Sequence, residues 1–125
     1  MTQLEGFVEK GWGHELIWAT NDTYCGKLLN FNKDARFSMH FHAKKDETWL
    51  VLSGQFDVLY IDTKDASVQK RTLKKMDTMR MKPLTPHQVI CIEQGTICEV
   101  STPDSVEDNY RVAKGDSQLV GNKSS

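Results

Sequence analysis

The sequence predicts an all-β protein, an antiparallel sandwich or small barrel, and three observations carry that expectation. Seven short runs rich in β-branched and aromatic residues follow one another from residue 25 to residue 102. Clusters of turn-forming residues separate most of them. No long 3.6-residue apolar period and no internal repeat competes with the strand pattern.

In chain order the expected strands are CGKLLNF (25–31), RFSMHFH (36–42), TWLVLSG (48–54), QFDVLYID (55–62), SVQKRTL (67–73), HQVICIE (87–93) and TICEVST (96–102). Turns are expected at 32–34, Ser53-Gly54, 63–66 and Gln94-Gly95. Residues 10–20 are the one segment that admits a helical turn. The 125 residues are read as one domain over 1–117, followed by a polar, frayed tail over 118–125.

Composition narrows the function classes. Lys plus Arg (16) nearly balance Asp plus Glu (17), so no electrostatic argument favours nucleic acid or an anionic membrane. The basic cluster Lys70, Arg71, Lys74 and Lys75 reads as a solvated strand edge that discourages edge-to-edge pairing. Three cysteines, Cys25, Cys91 and Cys98, show no paired spacing and read as buried thiols. With no apolar leader segment at the start and no stretch of spanning length, a reducing, cytoplasmic setting is expected.

The chemistry concentrates between Asp34 and Gly54. In a strand over 36–42, the period of two puts His40 and His42 on one face. Glu47 follows at the start of the next strand, and His87 comes beyond a hairpin-like interval. A single histidine commonly does no more than satisfy local hydrogen bonds. Here three of the chain's four histidines share one pattern with a glutamate, and only His14 lies outside it. Imidazoles plus a carboxylate suit one first-row divalent cation, Mn, Fe, Co, Ni or Zn. The expected metal ligands are His40, His42, Glu47 and His87.

These residues resemble the cupin superfamily. Its first motif, Gly-x5-His-x-His-x4-Glu-x6-Gly, is met by Asp34, His40, His42, Glu47 and Gly54, with aspartate for the first glycine. In the second motif His87 is kept, while Met76, Lys82, Leu84 and Cys91 stand at the Gly, Pro, Gly and Asn positions. Pro83 and Pro86 still favour an extended approach to His87. The resemblance implies a jelly-roll barrel, also described as a double-stranded β-helix.

Within the cupins, the segments KGWGHE (10–15), SMHFHAKKDETWLVLSG (38–54) and EVSTPDSVEDNYR (99–111) resemble the cupin domain of type II mannose-6-phosphate isomerases. His40 stands where that family has glutamine. Its closing Asp-x-Tyr-Gly-Arg is replaced here by Lys114-Gly115-Asp116-Ser117. The resemblance implies a sugar or sugar phosphate as small-molecule substrate, aldose–ketose chemistry and a homodimer. It places Glu107 or Asp108 as catalytic base and Arg111 as a catalytic or phosphate-binding group. Lys45 takes the family's arginine position and reads either as a substrate ligand or as a solvated loop lysine. Trp49 shares the face of Glu47 and reads either as an apolar wall for a sugar or as a core aromatic. Trp12 and Gly13 are expected to anchor the amino-terminal strand, against the chain itself or a second subunit. Three function classes remain: a sugar-phosphate isomerase or epimerase, an Fe(II)-dependent dioxygenase, and a metal-stabilised small-molecule binding domain without turnover.

Overall fold

The computed structural model describes residues 6–119, and nine β-strands account for most of them. They are β1 (Gly6–Lys10), β2 (Gly13–Thr20), β3 (Cys25–Phe31), β4 (Met39–Phe41), β5 (Glu47–Asp62), β6 (Ser67–Leu73), β7 (Thr78–Met81), β8 (His87–Ser101) and β9 (Tyr110–Ala113). A single helical turn, α1 (Asp116–Leu119), ends the described chain. The expected tail lies outside the described residues from 120 onward.

Every pairing is antiparallel, and the two longest strands organise the rest. The first part of β5 pairs with β7 and with the last part of β8, which in turn pairs with β3 and leads on through β2 to β1. The second part of β5 pairs with β6 and with the first part of β8, which leads on to β4 and β9. Because β5 and β8 each run from one layer into the other, the sheet curls on itself into a jelly-roll barrel. The expected all-β fold class is the observed one.

Alternation along the strands builds the core. Leu29 and Phe31 of β3, Trp49, Val51, Phe56 and Val58 of β5, and Val89, Cys91 and Ile97 of β8 all face inward and are buried. Trp12, from the β1–β2 turn, stacks on Phe31 with ring centroids 4.5 Å apart, so it anchors the hairpin in the chain's own core.

Several sequence expectations need correction. Residues 13–20 form β2, not a helical turn. The two strands expected over 48–54 and 55–62 are one strand, as are those over 87–93 and 96–102. Gly54 and Gly95 read as turns because glycine marks both turns and bulges. Here they lie against each other where β5 and β8 cross with shifted register: a Cβ on Gly95 would sit 2.1 Å from the Ser53 carbonyl, and Gly54 has φ 81°. The run over 36–42 is a strand only at 39–41. The edge reading of β6 fits its place: it pairs with β5 alone, and Lys70 and Arg71 are exposed. Cys25, Cys91 and Cys98 are free thiols, the first two buried. No helix among the described residues is long and apolar enough to cross a membrane.

The glycine positions of the motifs are informative in another way. Asp34 (φ 68°), Met76 (φ 73°) and Leu84 (φ 68°) occupy them and hold the left-handed conformation that glycine adopts without cost. The turn geometry is kept although the residue that suits it is not.

Candidate metal centre

His40 on β4 and His87 at the start of β8 are direct cross-strand partners. His42 follows β4 by one residue, and Glu47 opens β5. The pleat turns all four side chains into the barrel, where each is buried. Ligating nitrogens of His40, His42 and His87 lie within 4.8 Å of one another. Glu47 Oε2 is 3.5 Å from His87 Nε2 and 3.7 Å from His42 Nε2.

The hydrogen bonds around this group orient it. His42 Nδ1–H donates to the Asp108 carbonyl (2.6 Å) and His87 Nδ1–H to the Thr85 carbonyl (2.9 Å), which leaves Nε2 of each ring with a lone pair directed inward. His40 Nδ1 is hydrogen-bonded to Ser38 Oγ at 2.9 Å. The indole N–H of Trp49 donates to Glu47 Oε1 (2.9 Å), so the other carboxylate oxygen is the one facing the imidazoles. Glu47 Oε2 and His87 Nε2 are buried without a hydrogen-bond partner. Such an orphaned pair of buried polar atoms is costly unless a proton or a metal cation lies between them.

The electrostatics agree. Burial holds His40 well below its ordinary range, lowers His42, and pushes His87 down to about 4, so all three imidazoles are neutral at pH 7. Burial, with the Glu99 charge beside it, raises Glu47 to about 8. Neutral imidazoles and a carboxyl poised to lose its proton are the donor set of a first-row divalent cation. The residues present fit such an ion.

Above these four side chains lies a cavity of about 270 Å³. Its lining includes the apolar Ile17, Leu29 and Phe37. Among them charged side chains form a chain, buried except for Asp104, whose side chain is 33 % exposed. Lys27 and Glu99 face each other across β3 and β8. Lys45 Nζ lies 2.9 Å from Glu99 Oε2, 3.5 Å from Asp104 Oδ1 and 3.9 Å from Glu47 Oε1. Lys27 Nζ contacts Asp104 directly and lies 3.5 Å from Glu15. Burial alone would raise the Glu99 pKa, but Lys45 and Lys27 outweigh it and carry it down to about 2. Asp104 is likewise held well below the usual carboxylate range by the two lysines against its own desolvation.

The other candidate residues fall elsewhere. Lys45 is 5 % exposed and lines the cavity, which overturns the solvated-loop reading. Trp49 is fully buried in the core and touches the site from below, through its hydrogen bond to Glu47 and an edge-on contact with the His87 ring, centroids 5.4 Å apart. Glu107 is exposed and accepts a hydrogen bond from Ser105 Oγ. The Asp108 carboxylate is consumed by the backbone N–H groups of Ala43, Lys44 and Lys45, an anchor for the loop between the ligands. Arg111 is exposed on β9. None of these last three residues lines the cavity, although their neighbours Asp104, Ser105, Val106 and Asn109 do.

Glu15, Lys27, Glu99 and Asp104 were not singled out from the sequence. A signal existed for two of them: in CGKLLNF and TICEVST, Lys27 and Glu99 take the inward parity alongside Leu29 and Ile97. A charge at an inward position of a strand is costly unless paired.

No protein-family model and no curated protein matches the sequence. Solved structures do match the fold. An RmlC-like cupin from Shewanella frigidimarina aligns with a TM-score of 0.68 at 18 % identity, covering 86 % of this chain and 91 % of that one. Oxalate decarboxylase from Bacillus subtilis aligns with a TM-score of 0.74 at 16 % identity over 85 % of this chain and 29 % of that one. The capsular polysaccharide assembling protein CapF from Staphylococcus aureus aligns with a TM-score of 0.73 at 13 % identity over 90 % of this chain and 33 % of that one. The chain thus spans about a third of the last two proteins. Strand order and these likenesses together show that the chain has the jelly-roll fold of the cupins.

Proposed function

We propose that the protein is a metal-dependent sugar isomerase or epimerase. The observation that carries this reading is the convergence of three neutral imidazoles and Glu47 beneath a cavity walled by the buried Lys45–Glu99 pair. A divalent cation held by His40, His42, Glu47 and His87 would supply a Lewis acid for a carbonyl and its neighbouring hydroxyl. Glu99 is placed to take the proton beside that carbonyl, and the Lys45 ammonium to donate to the oxygen on which charge develops. A substrate hydroxyl inserted between the two would weaken the ion pair that makes Glu99 so poor a base. The apolar lining residues Ile17, Leu29 and Phe37 would pack on the carbon-bound face of such a substrate.

Two likenesses support the reading. Among the proteins of similar fold, CapF is named for capsular polysaccharide assembly, and the oxalate decarboxylase is described with Mn(II) centres. Acid–base roles for Glu107 and Asp108 form no part of the proposal, since Glu99 and Lys45 occupy the cavity instead. Incubating the metal-loaded protein with aldoses and ketoses in deuterium oxide tests it. Incorporation of deuterium at C2 is the expected result; its absence across pentoses and hexoses, free and phosphorylated, removes isomerisation. The three-histidine, one-carboxylate donor set by itself also suits Fe(II), so stoichiometric iron with oxygen uptake would favour a dioxygenase.

A homodimer is part of the same proposal, supported by the outer face of the first layer. Phe7, Leu16, Leu28, Cys98 and Leu50 stand in one lateral row across β1, β2, β3, β8 and β5. Phe7 and Trp18 beside it are 62 % and 52 % exposed, an apolar face of the sort that homodimers bury.

A further inference from the structure

We infer that the cavity takes an uncharged polyhydroxy carbonyl compound and discriminates against its phosphate ester. This rests on the sugar-isomerase reading and names the substrate class of the same site. Among the described residues lining the cavity, the cations are Lys10, Lys27 and Lys45, and the acids are Glu15, Glu47, Glu99 and Asp104.

The two buried ammonium groups are already engaged. Lys45 has Glu99 at 2.9 Å and Asp104 at 3.5 Å, and Lys27 has Asp104 and Glu15. A phosphate monoester carries close to two negative charges at neutral pH. To bind, it would have to draw a lysine away from two carboxylates and then sit beside both of them in a poorly screened site. No arginine lines the cavity among the described residues, so the planar fork that grips phosphate is missing there.

Sugar hydroxyls meet the opposite situation. A hydroxyl donates and accepts at once, and a wall of alternating ammonium and carboxylate groups offers both. Ile17, Leu29 and Phe37 give the carbon-bound face of a sugar an apolar surface. At about 270 Å³ the cavity lies just below the usual size of small-ligand sites, about 300 to 1,000 Å³.

The test pairs free pentoses and hexoses with their phosphate esters on the Mn(II)-loaded protein, reading both C2 deuterium exchange and the shift in melting temperature. At least one free sugar should bind, with its ester at least ten-fold weaker. An ester that binds as well as or better than its parent sugar overturns the inference, as does the failure of every free sugar to bind. Binding of a free sugar without exchange leaves the inference standing and removes the isomerase reading. A second arm uses Asp104→Asn, which removes the carboxylate shared by Lys27 and Lys45. Inorganic phosphate should then bind at least ten-fold more tightly than to the wild type. Unchanged phosphate affinity would show that carboxylate pairing is not what turns phosphate away.

Discussion

Replacing Lys45 by methionine keeps most of the side chain's apolar stem and deletes its charge, and the structure sets the size of the expected effect. The ammonium is 5 % exposed and lies 2.9 Å from Glu99 and 3.5 Å from Asp104. At an effective dielectric of about 20, a pair at the shorter distance attracts by about 6 kcal/mol, most of which offsets the cost of burying the two ions. What matters for the variant is that Glu99 would stay buried with its nearest counter-charge gone. Removing one partner of a buried pair typically costs about 3–5 kcal/mol. With a urea slope of about 2 kcal/mol per molar, the unfolding midpoint of the metal-free protein should fall by about 2 M. The double variant Lys45→Met with Glu99→Gln should recover most of that loss, because no charge is then stranded. A fall of less than about 0.5 M in the single variant, or a double variant no better than the single, would refute the buried chain of charges.

Further outcomes follow from the same geometry. For the metal-free protein, stability should depend on pH in two opposed ways. The folded pKa of His87, about 4, lies below its ordinary 6.5, so the unfolded chain takes up the proton first and stability falls as pH drops through that window, by about 3 kcal/mol. His40 and His42 act in the same direction. Glu47, raised from 4.5 to about 8, acts oppositely, since the folded form keeps a proton that the unfolded form releases, and stability falls as pH rises between those values. The melting temperature of chelator-treated protein should therefore peak near pH 6.5, and a steady rise through pH 8 would contradict the Glu47 environment. Leu84→Gly, at an exposed position with φ 68°, should stabilise by about 0.5–1 kcal/mol in urea unfolding, the relief of a left-handed backbone outweighing the extra entropy of glycine in the unfolded chain. Trp18→Lys should shift the protein from dimer to monomer in light scattering after size-exclusion chromatography; a wild type already monomeric at tens of micromolar would remove the dimer proposal.

The strands legible in the sequence were those whose ends are marked by chemistry as well as by period. The patterns of CGKLLNF and SVQKRTL predict the observed boundaries of β3 and β6, and the predicted turn at 63–66 is the observed one. The long strands β5 and β8 were not, because Gly54 and Gly95 act through close approach of two backbones that are remote in sequence. Strands β1 and β2 were missed, since their outward faces carry Phe7, Leu16 and Trp18, which blurs the alternation that identifies a half-buried strand. The histidines and Glu47 could be grouped from spacing because three of the four lie within eight residues of one another. Glu99 and Asp104 could not, because pairing β3 with β8 and folding the 104–109 loop over the barrel mouth are what bring them to Lys27 and Lys45. Reading Glu107, Asp108 and Arg111 as site residues relies on a motif likeness that finds the right segment, which lines the cavity through Asp104, Ser105, Val106 and Asn109 and not through those three side chains.

Metal stoichiometry tests the central claim most directly. Protein stripped with chelator, reloaded with Mn(II) or Zn(II) and desalted should retain one equivalent by elemental analysis. His42→Ala and His87→Ala, each removing a ring aimed at Glu47 Oε2, should retain almost none while remaining folded by circular dichroism. Equal metal content in the wild type and both variants would contradict the account.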